Sequence, residues 1–206
     1  YFYYKNQYPS ECLQASIDAV NTFNSLFGEY PYSTLNVVET NFVHGGMEYP
    51  NLVMISDAVD IQSDYINVIV HEIAHQWWYG VVGNNEIKEA WLDESLAEYS
   101  TVLFLANHKE FDVTYEELVS EAFANYTLFA DISKTFNKKI KTSMLLNVNE
   151  CNSEYEHSYM IYVKGVLMFD SVGQVVKIES KELLDAYKEA LDEISSSKSE
   201  SDINKS

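Results

Sequence analysis

Two histidines four residues apart, His71 and His75, flank a glutamate, Glu72, in the stretch HEIAHQWWYG at 71–80. On a helix that spacing puts both imidazoles on one face, where their nitrogens can share a divalent ion at about 2.0–2.1 Å. Glu72 can then reach a water on that ion and take its proton. The surrounding residues Ile66, Ile69, Val70, Ile73, Trp77 and Trp78 are apolar, so burying three ionisable groups among them without a cation would be costly. Such a centre needs a third protein ligand and keeps a fourth position for water. The stretch WLDESLAEY at 91–99 offers Glu94, with eighteen residues between it and His75. Asp93 and Glu98 are its rivals. Asp93 points about 100° around the helix from Glu94. Glu98 lies one turn further along the same face and suits hydrogen bonding to a ligand histidine.

The elements that must position these groups follow from apolar periodicity. Ser10 to Phe27 reads as an amphipathic helix on a stripe of Leu13, Ile17, Val20, Phe23 and Phe27, stopped by Gly28. TLNVVETNF (34–42) is rich in β-branched residues and predicts a strand, HGG (44–46) breaks it, and LVMIS (52–56) predicts a second strand. A helix capped by Ser63 or Asp64 is expected to run to about Tyr79, followed by a loop over 80–85. Further helices are expected over 91–107, 115–131, 159–176 and 181–194. Helix, strands, then helices indicate the α+β class, with a small N-terminal sheet beside a larger helical part. The polar stretch SSSKSESDINKS (195–206) is expected to be a disordered tail, which leaves 1–194 as one domain.

Composition narrows the function classes. With 206 residues, 47% hydrophobic and 14% aromatic, the chain can bury a substantial core. A formal charge of −19 repels nucleic-acid phosphates and anionic lipid. The same charge allows either a merely solvated surface or an acidic cleft that attracts cationic substrates. Cys12 and Cys151 form no CxxC pair and read as two thiols more readily than as one disulfide. No apolar run approaches the roughly 20 residues that span a bilayer, and no signal segment opens the chain. The chain starts on Tyr1, so it is read as a piece of something longer, and its compartment is left open.

H-E-x-x-H on a helix is the signature of zinc peptidases. Followed after eighteen residues by a glutamate, it resembles the gluzincin metallopeptidases. With WLDE in place of W-L-N-E it resembles the alanyl aminopeptidase (aminopeptidase N) family. GGMEYP (45–50) resembles that family's G-x-M-E-N motif and YVKG (162–165) its Y-x-K-G motif. The resemblance covers about residues 35 to 172. It implies a thermolysin-like zinc peptidase catalytic domain, with one Zn²⁺ held by His71, His75 and Glu94 and with Glu72 as general base. Tyr162 would stabilise the oxyanion, and Glu48 would grip the free α-amine of a peptide substrate. Gly45, Gly46 and Met47 would line the peptide's path, and Glu98 would support a ligand histidine. Tyr49 and Asp93 depart from the asparagines usual at those places. Flanking domains, an N-terminal β domain and a C-terminal helical one, are expected in the parent protein.

The chemistry of those residues agrees with the resemblance. A carboxylate is the natural partner of an ammonium group, and glycine lets a ligand approach the backbone closely. A phenol aimed at a developing oxyanion supplies on the order of 3–4 kcal/mol. Three other readings stay open on the residues alone. They are a thermolysin-like endopeptidase, a zinc-bearing domain without catalysis, and an epoxide hydrolase of the leukotriene branch.

Overall fold

The computed structural model describes residues 1–176. The expected helix at 181–194 and the polar tail at 195–206 lie outside the described residues. The order is α1 (Pro9–Phe27), β1 (Asn36–Thr40), β2 (Gly46–Met47), β3 (Leu52–Ser56), α2 (Gln62–Ala74), α3 (Glu94–Asn107), α4 (Tyr115–Thr135), α5 (Glu154–Ser158) and α6 (Lys164–Val176). A π-helical turn, Tyr159–Val163, joins α5 to α6. The chain is α+β.

Helix α1 starts with a proline in its first turn, where the missing N–H costs nothing. It ends at Gly28, whose φ of 106° suits glycine. Its buried face is not the expected stripe. Leu13 and Ile17 are exposed, and Cys12, Ala15, Ala19, Phe23 and Phe27 are buried. The small side chains let α1 lie close against α2, and Phe23 meets Trp77 edge-on at 5.6 Å between centroids. Cys12 is buried, Cys151 is half-buried, and both are free thiols.

The sheet has the order β1-β3-β2. β1 pairs parallel with β3 from Asn36↔Leu52 to Thr40↔Ser56. β2 pairs antiparallel with β3 through Gly46↔Ile55 and Met47↔Met54. The HGG stretch therefore does more than break a strand, because Gly46 belongs to an edge strand. That edge is packed against α2, which brings residues 45–48 beside the histidines.

Helix α2 ends at Ala74, short of the expected Tyr79. His75 is its C-cap, Tyr79 turns back at φ 109°, and Trp78 bridges to Val82. The apolar pattern continues because Trp77 and Trp78 are buried in turns. Helix α3 likewise starts three residues later than expected, at Glu94, where Asp93 Oδ1 accepts the Glu94 N–H at 3.0 Å. α3 is the central helix, with Ser95 to Leu103 almost wholly buried among α2, α4 and α6. α4 carries a Thr114–Glu117 capping box. The expected helix at 159–176 begins earlier, at Glu154, and is interrupted by the π turn. Among the described residues no helix is long and apolar enough to cross a membrane.

Candidate metal centre

Helix α2 presents His71 and His75 one turn apart, and the first residue of α3 presents Glu94 to both. His71 Nε2 lies 3.1 Å from Glu94 Oε2 and His75 Nε2 lies 3.2 Å from the same oxygen. The two Nε2 atoms are 3.2 Å apart. The opposite nitrogens are already committed. His75 Nδ1 donates to the Trp78 carbonyl at 3.1 Å, and His71 Nδ1 donates to Glu98 Oε2 at 3.0 Å. With both Nδ1 protons spoken for, the neutral form of each imidazole turns its Nε2 lone pair towards the Glu94 oxygen.

Three acceptors in contact repel unless positive charge, a proton or a metal ion, sits among them. A tetrahedral divalent ion with bonds of about 2.0–2.1 Å spaces its ligand atoms by about 3.3 Å, close to the separations found here. Among the described residues these three form the group that could hold a metal ion, and its nitrogen and oxygen donors suit zinc. The charges point the same way. Burial pushes His71 towards its neutral form, yet the Glu94 and Glu98 carboxylates outweigh it and hold the imidazole well above its ordinary value. His75 is raised against burial mainly by Glu94. Glu94 is held well below the carboxylate range by the two histidines, despite its burial. The cluster is built around positive charge.

Glu72 faces the same space. It is buried, and its Oε2 has no hydrogen-bond partner among the described residues. Burial pushes its carboxyl up to about 7, with Glu48 and Glu94 adding to the rise and the histidines opposing it. A carboxylate with that value is poised to exchange protons near neutrality. Gly46 makes room for it, since any β-carbon there would collide with the Glu72 carboxylate.

A cavity of about 710 Å³ opens in front of the cluster. His71, Glu72, Glu94, Glu98, Gly45, Gly46, Met47, Glu48 and Tyr162 all line it. His75 sits behind, 1% exposed. Glu48 is buried, and burial raises its carboxyl. Tyr162 lies in the π turn with its ring stacked on His71, 5.7 Å between centroids and 23° between planes. Burial, reinforced by the Glu94 charge, holds its phenol well above the ordinary value, so it is a neutral donor. The π turn aims Tyr162, because one extra residue in a helical turn rotates the next side chains by about 100°.

The two departures from the motif sit elsewhere. Tyr49 is exposed, whereas Asp93 is buried as the cap of α3, its carboxyl pushed up to about 6 by burial and by Glu94. Several supporting residues escape the sequence reading. Gln76 is buried and accepts the Asn51 N–H at 2.8 Å, while its amide donates to the Tyr49 carbonyl at 3.4 Å, so it fastens the loop that carries Glu48. The Trp78 carbonyl orients His75. Glu121 and Asn125 of α4 extend the cavity wall. Gln76 beside His75 offers a hint in the sequence; the others depend on tertiary contacts and leave no local signal.

Residues 11–199 match the description "Peptidase family M1 domain". The chain is 27% identical over 152 residues to leucine aminopeptidase 2 of Candida albicans, covering 66% of this chain and 24% of that protein. It is 34% identical over 92 residues to aminopeptidase B of Homo sapiens, covering 40% of this chain and 14% of that protein. The M1 zinc metallopeptidase from Deinococcus radiodurans superposes with a TM-score of 0.63 at 17% identity, over 91% of this chain and 38% of that one. That likeness shows the fold. The chain spans well under half the length of each of these relatives.

Proposed function

The chain belongs to peptidase family M1, and from that premise we propose that it is the catalytic domain, residues 1–194, of a zinc metalloaminopeptidase that removes residues from the free N-terminus of peptides. The observation that carries this reading is the convergence of His71 Nε2, His75 Nε2 and Glu94 Oε2 beside a buried Glu72 whose second oxygen has no hydrogen-bond partner among the described residues. A single Zn²⁺ fits the donor set; when bound it polarises the scissile carbonyl and makes water acidic enough to attack near neutral pH.

The chain's own groups supply the rest. Glu72 accepts the proton of the attacking water and returns it to the leaving amine, one carboxylate acting as base and then as acid. The neutral Tyr162 phenol donates a hydrogen bond to the carbonyl oxygen as it gains charge. Glu48, on the same cavity wall, pairs with the substrate's α-ammonium and so admits the first peptide bond. Gly45 and Gly46 bring the edge of β2 within reach of the substrate backbone. Glu98 holds the His71 proton on Nδ1 and keeps Nε2 available. The size of the relatives supports a longer working protein with further domains.

The test compares a free peptide with its N-acetylated form in the full-length protein. Cleavage confined to the free peptide is expected. Equal cleavage of both would point instead to an endopeptidase and would remove Glu48 from the amine-binding role.

A further inference from the structure

We propose that Ser95 is a positioning residue that sets Tyr162 over the cavity by tying the Tyr162 turn to the helix that carries Glu94. The inference rests on the reading of Tyr162 as donor to the reacting oxygen.

Ser95 directly succeeds Glu94, and Ile161 directly precedes Tyr162. The Ser95 hydroxyl donates to the Ile161 carbonyl at 2.6 Å, joining positions 66 residues apart. Ser95 is 0% exposed and Ile161 1%. Other helix hydroxyls behave differently. Ser16, Ser100 and Thr101 each donate to the carbonyl four residues earlier in their own helix, a bond that organises nothing distant. Ser95 stands one residue into α3, where the carbonyl four back is not helical, and its hydroxyl crosses to another element.

Two further features make this bond a registration point. The acceptor lies inside the π turn Tyr159–Val163, a short and unfavourable geometry that persists where its surroundings hold it. Gly165, one turn beyond the acceptor, packs so closely that a β-carbon there would stand 2.5 Å from Ser95 Cβ and Oγ and 3.1 Å from its Cα. The start of α6 therefore rests on Ser95 itself. The hydrogen bond fixes the turn's rotation and the glycine fixes its height above α3. Tyr162, stacked on His71, inherits both. If the bond is lost, the turn relaxes towards α-helical winding and the phenol swings away from its place.

The experiment is a double-mutant cycle in the full-length protein, reading kcat and KM on an aminoacyl anilide, with zinc content measured in every variant. Tyr162→Phe should lower kcat by roughly 10²-fold or more. Ser95→Ala should lower kcat by roughly ten-fold, leave KM within about two-fold, and lower kcat by less than two-fold when Tyr162→Phe is already present. The exchanged pair Ser95→Gly with Gly165→Ala restores volume at the crossing without the hydroxyl, and should stay as slow as Ser95→Ala. In zinc-free protein carrying 3-fluorotyrosine at position 162, Ser95→Ala should move the fluorine resonance while Ser16→Ala leaves it in place. Wild-type kcat in Ser95→Ala, an equal loss in both backgrounds, full activity of the exchanged pair, or an unmoved resonance would overturn the inference while leaving Tyr162 in its role. Wild-type kcat in Tyr162→Phe would overturn the Tyr162 reading and this inference with it.

Discussion

Two buried glutamates in this molecule are treated in opposite ways. Glu39, 3% exposed on β1, accepts the Tyr4 N–H at 2.6 Å, the Lys5 N–H at 2.8 Å and the Tyr65 hydroxyl at 3.1 Å. Burial pushes its carboxyl up, but the Lys5 and Tyr4 amides, helped by Asn6 and Tyr65, more than offset this and hold it below the ordinary value. Glu72, as little exposed to solvent but more deeply enclosed, has an oxygen with no protein partner among the described residues, and burial raises its carboxyl to about 7. The first carboxylate is saturated with donors and ties the N-terminal segment to the sheet. The second is starved of them and can take a proton. Donor count and depth of enclosure together separate a carboxylate held ionised from one that can take up a proton near neutrality.

That contrast can be broken at either end. The largest effect is expected from Glu72→Gln, which removes the proposed proton acceptor and should lower kcat by about 10³-fold or more, with zinc retained and the melting temperature unchanged or raised. Turnover within ten-fold of wild type would take the base role from Glu72. Next comes Gly46→Ala, which pushes the Glu72 carboxylate aside without changing its chemistry. A kcat loss of roughly 10–100-fold at constant zinc content is expected, and a wild-type rate would show that Glu72 needs no such close wall.

Glu39→Ala acts on the other member. It leaves the donors around Glu39 without their acceptor and should cost about 2–4 kcal/mol in denaturant unfolding. Because the folded-state value is depressed, Glu39's contribution is complete above the unfolded carboxylate value near 4.3 and is lost as pH falls through the lower folded value. Wild type should therefore lose stability faster than Glu39→Gln does as pH falls below about 4. Parallel curves would mean that Glu39 does not hold the sheet this way. The smallest effect is that of Tyr65→Phe, which deletes one donor to Glu39 and should cost about 1 kcal/mol, with kcat unaltered.

The sequence made some of this legible for a local reason. Helical spacing alone brings His71 and His75 to one face, whereas the convergence with Glu94 is a tertiary contact that the eighteen-residue spacing and the family resemblance singled out from Asp93 and Glu98. The α+β class comes from the order of apolar patterns. Harder to read were features decided by distant neighbours. Apolar periodicity runs through Trp77 and Trp78 whether they are helical or in buried turns, so the end of α2 at Ala74 is hidden. Leu13 and Ile17 are bulkier than Ala15 and Ala19, yet the close approach of α1 to α2 favours the small residues on the buried face. The π turn at Tyr159–Val163 and its tie to Ser95 bridge 66 positions in the chain, and neither Ser95 nor Ile161 carries a local sign of the other.

The central claim is that three side chains from two neighbouring helices were built to hold one ion. Metal analysis of purified wild type, His75→Ala and Glu94→Gln tests it most directly. One zinc per chain in wild type, falling at least ten-fold in each variant while the fold is retained, is the predicted result. Zinc bound as tightly by Glu94→Gln as by wild type would contradict it.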